Sequence, residues 1–275
     1  MTVAERINAE RIVLAGWSRA ILLQLAHPLV AQGVADHSSF VNAERLPRRS
    51  REAKAGGTLL SAAVRLHHTV QAMRRLTFGD AAASKMTLDG IKAIHRRVNG
   101  RLPATVGPYA AGTRYSAEDA PLVLWVHATL LDSLPLVYSA IVSPLTDDER
   151  DAWCRESAPV ARALGGGDDV PETWAEVQAY IASMLGSGQI EVGDTARRIA
   201  HEVLAPRGSW ALAPLRAINR TVTVGLLPPS VRVQYGYAWA ATDQARLART
   251  IRRLRALRSM MPDVVAHWPD ARRTG

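Results

Sequence analysis

The sequence predicts an all-α fold, a single multi-helix domain over residues 1–275. Apolar residues recur at helical spacing in stretches bounded by capping signals. No alternating strand pattern, sheet-linked phosphate loop or internal repeat interrupts them. Hydrophobic residues make up 48% of the chain but include only two Phe, so the core is expected to be aliphatic. With 21% charged residues the composition is that of a globular protein.

The first helix is read through Trp17 to Ala26-His27-Pro28 and beyond. Arg19, Gln24 and His27 interrupt its apolar run, which argues against a membrane span. Pro28 removes a backbone donor and should kink the helix near His27. Gly33 and Asp36–Ser39 close it, and a basic polar loop follows from Asn42 to Gly57. A helix over Leu59–Leu76 stops at Phe78-Gly79-Asp80. The next, from about Ala81 to Val98, ends at Asn99-Gly100, a common C-terminal signal. Pro103, Gly107, Pro108 and Gly112 mark a loop. Asp119–Val142 is apolar on nearly every face and reads as a central buried helix, with His127 and Asp132 embedded. Asp147-Asp148-Glu149 opens another helix, and Gly165–Asp169 is a turn. Thr173-Trp174-Ala175-Glu176 fits a capping box for a helix to about Met184. Ile190–Leu204 reads as helix, and Pro228-Pro229 breaks the chain before a basic amphipathic helix at about 242–261.

The formal net charge is +9. Much of it lies in Arg45–Lys54 and Arg246–Arg258. In the second run Leu247, Ile251, Leu254 and Leu257 fall at helical spacing, so its ordinary reading is a solvated face over a packed stripe. Contact with a membrane surface is the alternative. Nucleic acid is not expected, because no aromatics interleave with the arginines and no recognition module stands out. The single cysteine, Cys154, excludes an intramolecular disulfide and a cysteine-clustered metal site. The opening Glu5, Arg6, Glu10 and Arg11 lack a signal-peptide layout, so a cytoplasmic location is expected.

Chemistry centres on the histidines. His95 lies on a helix where Ile91, Ile94 and Val98 share its side. On the preceding helix Arg65, His68 and Thr69, spaced by three and four, form a polar stripe. Two such helices can enclose an iron-centred cofactor. The bland readings stand beside this one. A lone imidazole on an apolar face, as His27, His37, His95 and His127 each read, is commonly a satisfied core residue. Arg65 fits a partly buried salt bridge and Thr69 a bond to the preceding turn, while His67, His201 and His267 read as surface residues. No His-Glu-x-x-His, paired carboxylates, Gly-x-Ser-x-Gly elbow or glycine-rich nucleotide loop occurs. Elimination leaves a histidine-ligated cofactor in a helical core as the enzyme reading.

From Trp17 to about Trp174 the chain resembles the family of the rubber oxygenases (latex clearing proteins) and the ER-bound oxygenase of mycophenolic acid biosynthesis. The matching segments are Leu25-Ala26-His27-Pro28, Arg65-Leu66-His67-His68-Thr69, Phe78-Gly79-Asp80, Ile94-His95-Arg96-Arg97-Val98 and Leu124-Trp125-Val126-His127-Ala128-Thr129-Leu130, with Tyr235-Gly236-Tyr237 further on. The resemblance implies a helical domain enclosing a buried haem b pocket. It implies His95 as the proximal iron ligand, and Arg65 and Thr69 beside the distal face. His68 stands where the rubber enzymes place a lysine, and Lys92 and Asn99 stand where they place arginines. Their carboxylate base has no clear counterpart. His127 is the rival ligand or a propionate contact.

The reading is a haem b-dependent oxygenase or oxidase that takes dioxygen and a hydrophobic, isoprenoid-like substrate. Its catalytic set is Arg65, His68 and Thr69; Arg65, His95 and His127 hold the cofactor, with His95 on the iron. The alternative is a non-catalytic helical binding protein that meets a partner or an acidic membrane surface through its basic C-terminal helix.

Overall fold

A computed structural model describes residues 1–37, 57–206 and 210–272; the side chains of 57–67, 210 and 272 are not part of that description. The basic loop expected at Asn42–Gly57 therefore lies almost wholly outside the described residues, as does the Arg45–Lys54 charge cluster. The fold is mainly α, as the periodicity predicts. Its helices are α1 (Val3–Ala9), α2 (Leu14–Leu25), α3 (Pro28–His37), α4 (Gly57–Phe78), α5 (Ala81–His95), α6 (Ala120–Ile141), α7 (Asp147–Ala163), α8 (Trp174–Gly186), α9 (Asp194–Leu204), α10 (Ala213–Leu226), α11 (Pro229–Gln234), α12 (Ala241–Met260) and α13 (Asp263–Ala266).

The centre of the molecule is α6 packed along α2, with α7, α8 and α12 around it. By length and composition α6 could cross a membrane, but these neighbours cover it, as its embedded polar residues predict. Gly16 on α2 lets the two backbones meet: a Cβ there would sit 3.0 Å from the Ser133 carbonyl oxygen. Pro135 within α6 has no N–H to give the Leu131 carbonyl one turn back. That carbonyl instead accepts the Trp153 indole N–H at 3.2 Å, which ties α7 to the break in the ladder.

One charged group crosses this core. Arg19 is 4% exposed; it donates to Asp132 and Ser133 of α6, both at 2.6 Å, and to the Leu226 carbonyl of α10 at 2.7 Å. Asp132 also accepts from Gln178 of α8 at 2.9 Å. A buried cation is tolerated only with its donors satisfied, and this one pins four helices together.

The kink expected at His27–Pro28 is a full break. The Arg11–Leu25 and Pro28–His37 segments lie 109° apart, and Pro28 opens α3, the one helical turn that needs no proline N–H. The His27 imidazole Nδ1 accepts the Leu29 backbone N–H at 3.3 Å and so caps the new helix.

Two expectations fail nearby. Helix α5 ends at His95, three residues short of the predicted Val98. Asn99-Gly100 does not terminate a helix but belongs to a strand, β1 (Asn99–Arg101), paired antiparallel with β2 (Arg114–Ser116). The hairpin packs on α3: the Tyr115 hydroxyl donates to Asp36 at 2.5 Å, and His37 meets the Asn99 carbonyl at 3.0 Å. His37, grouped with the core histidines on sequence, is exposed.

Residues 258–272 strap the C-terminal part of the chain across α1 and α4. Glu10 is 4% exposed and accepts from Arg258 at 2.6 and 2.7 Å and from His267 at 3.0 Å. The guanidinium groups of Arg11 and Arg74 lie over the Trp268 ring, 5.0 and 5.5 Å from its centroid. Arg74 of α4 also donates to Asp270 at 2.5 Å. His267, read as a surface residue, is half-buried here.

Candidate functional site

His95 is the last residue of α5 and is half-buried. Its Nδ1 is buried without a hydrogen-bond partner among the described residues. Burial holds its pKa below the usual histidine value, with Glu118 pulling weakly the other way. The ring is therefore neutral near neutral pH, the form that can offer a lone pair to a metal. The aliphatic wall expected beside it is not formed. Ile94 is 62% exposed, and Val98 has left the helix to pack near Gly33. A surface hollow of about 510 Å³ lies on the adjacent hairpin, lined by Asn99, Arg101, Arg114, Tyr115 and Asp119 among others. The described residues do not show the enclosed haem pocket that the resemblance implies.

His127 sits on α6, and its Nε2 is likewise buried and unpartnered among the described residues. Burial lowers its pKa to about 4. Of the stripe on α4, His68 and Thr69 are exposed and Val70 is the buried residue of that turn. The Arg65 side chain lies outside the described residues. No group of three His, Cys, Asp or Glu that could hold a metal occurs among the described residues.

Sequence reasoning matched His27 to a family motif but assigned it no role. The structure supplies one. Because Nδ1 accepts from Leu29, the ring proton sits on Nε2, which donates to the Tyr109 hydroxyl at 3.0 Å; that hydroxyl donates to Gln189 at 3.3 Å. The chain of bonds clamps the 103–112 loop and Gln189 onto the break between α2 and α3. His27 is 2% exposed, and burial lowers its pKa to about 4. The signal was Pro28 itself: a histidine just before a proline break occupies a helix N-cap. The other segment left without a role, Tyr235-Gly236-Tyr237, is a turn. Gly236 takes φ +76°, the left-handed region that favours glycine, and the Tyr235 hydroxyl donates to the Leu22 carbonyl at 2.7 Å.

Two histidines neutral down to about pH 4 contribute to the acid response. The unfolded chain takes up their protons near the ordinary value of 6.5, so between 6.5 and 4 it binds more protons than the folded chain. Stability is full above 6.5 and falls as pH drops through that window, by about 1.4 kcal/mol per unit of pKa difference for each ring. His27→Asn keeps an oxygen for the Leu29 N–H and removes one titration. Urea midpoints at pH 7 and pH 5 should therefore converge in this variant, and an unchanged gap would contradict the assignment.

The fold is that of a mainly helical protein in which His27, His95 and His127 are kept neutral by burial. Residues 5–256 match the family described as ER-bound oxygenase mpaB/B'/rubber oxygenase, catalytic domain. The chain belongs to this family of oxygenase catalytic domains. No curated protein and no solved structure matches it.

Proposed function

We propose that the protein is a haem b-dependent oxygenase acting on a hydrophobic, isoprenoid-like substrate with dioxygen as co-substrate. Membership of an oxygenase family supports the reaction class. The observation that carries the cofactor assignment is the His95 ring, kept neutral by burial and with Nδ1 buried and unpartnered among the described residues. That donor chemistry fits an iron-ligating imidazole, whose second nitrogen takes an acceptor that fixes the tautomer.

Haem held by His95 would supply the iron that binds and activates dioxygen. Arg65 offers a fixed cation suited to a propionate carboxylate or to negative charge developing on oxygen. His68 and Thr69 each carry a polar hydrogen to donate to an oxygen atom. The Nε2 of His127, buried and unpartnered among the described residues, gives the most apolar helix a polar atom suited to a propionate or a pocket wall.

Protein purified after expression with ample haem should show a Soret band, and His95→Ala should lose most of it while keeping its helical circular dichroism. His127→Ala should retain the band with a shifted maximum. A folded but colourless wild-type protein, or a His95→Ala variant with an unchanged spectrum, would sink the reading.

A further inference from the structure

The twenty residues of α12 divide into two faces, and among the described residues only one is packed against the fold. Leu247 is 4% exposed, and Ile251, Leu254 and Arg258 are half-buried beside it. Arg255 turns inward to the carbonyls of Ser139 and Ala140 at the end of α6, and Arg258 to Glu10. At 100° per residue, Arg249, Arg252, Arg253, Ala256, Leu257 and Met260 all fall within one arc on the opposite side. Arg249, Arg252 and Arg253 frame a shallow hollow with Ala256, and none has an ion-pair partner among the described residues.

Two features separate this face from an ordinary solvated one. Asp243, in the first turn, is the sole acidic residue of α12 and is taken by Arg246 at 3.1 Å. Of the three remaining cations, Arg249 lies three and four residues before Arg252 and Arg253 and is repelled by both on one strip of helix. The strip then becomes apolar at its C-terminal end. Met260 is 81% and Leu257 52% exposed, and Val264 and Val265 of α13 follow at 55% and 48%. A duplex or an acidic peptide would satisfy the arginines but leave four large apolar side chains in water. A bilayer satisfies both, with phosphates at the level of the guanidinium groups and acyl chains below.

We propose that the outer face of α12, continued by α13, docks the protein on an anionic phospholipid surface. Arg249, Arg252 and Arg253 meet the headgroups, and Leu257, Met260, Val264 and Val265 enter the interface. The inner-face bonds of Arg255 and Arg258 hold the helix against the fold, so the docking face is presented already formed. This assignment stands whether or not the chain binds haem.

Co-sedimentation of the full chain with phosphatidylcholine vesicles, with and without phosphatidylserine, tests it. The wild type should bind only the vesicles containing phosphatidylserine, and less as salt rises. Arg249→Ala/Arg252→Ala/Arg253→Ala should lose on the order of a hundred-fold in partitioning, roughly five-fold per cation removed. Leu257→Ser/Met260→Ser should keep the salt-sensitive component and lose the residual binding at high salt. Both variants change exposed side chains and should melt with the wild type. Equal partitioning of the arginine variant and the wild type would overturn the proposal. So would binding of wild type to duplex DNA or to an acidic peptide but to neither vesicle.

Discussion

Asp132→Ala is expected to be among the most damaging single substitutions in this protein, costing roughly 3–5 kcal/mol. Arg19 and Asp132 are both nearly fully buried, with side chains 5% and 9% exposed. Removing the carboxylate strands the guanidinium between α2 and α6 with no water to replace it. The amide of Gln178 loses its acceptor in the same step. The pair is not thereby a large net source of stability, because bringing two charges out of water costs nearly what their attraction returns. Replacing both, as in Arg19→Met/Asp132→Leu, should therefore cost much less than the single change. Urea unfolding followed by circular dichroism measures all three proteins. A double variant as unstable as Asp132→Ala would show that the polar network contributes beyond its own satisfaction.

Trp125 supplies the second large effect. It is fully buried, among the largest such side chains, and its ring lies 6.5 Å from that of Tyr180 on α8. Trp125→Ala should cost about 3–5 kcal/mol, the transfer of the side chain plus the void it leaves. The indole N–H is buried without a partner among the described residues. Trp125→Phe discards that unsatisfied donor and keeps most of the apolar surface, so it should be much milder, about 1–2 kcal/mol. If the two variants melt together, the indole nitrogen has a partner and the packing account is wrong.

Both sites show how much of the molecule was legible in its sequence. The apolar run of 119–142 declared a central helix, and Thr173-Trp174-Ala175-Glu176 declared the start of α8; Thr173 and Glu176 do exchange both capping bonds. Local signals of that kind need only a few neighbouring residues. Strands of three residues give period-two alternation no room, so the Asn99–Arg101 and Arg114–Ser116 hairpin was hidden inside what reads as a helix end and a glycine-rich loop. The partner of Arg19 lies 113 residues away and could not be read from any window, although Asp132 itself stood out as a carboxylate in an apolar helix.

The candidate site was legible as a set of residues rather than as a shape. Motif resemblance selected His95, and the structure adds that burial keeps its ring neutral and that its Nδ1 has no partner among the described residues. The aliphatic wall failed for a local reason. Extending a 3.6-residue period through Val98 assumes the helix continues, and the chain instead turns at Arg96 and pairs with β2. The arginines of α12 mislead in a different way. Composition reads them as one solvated charge run, whereas Arg255 and Arg258 are structural ties and Arg249, Arg252 and Arg253 are not.

The Glu10 contacts have a consequence for where this protein can be cut. The family match stops at residue 256, yet Arg258 and His267, the side-chain partners of that buried carboxylate among the described residues, come later. An expression boundary drawn at the edge of the shared region would remove both of these partners, together with the segment that lies across the first helix. What this chain has in common with its relatives and what it needs in order to hold its shape do not end at the same residue.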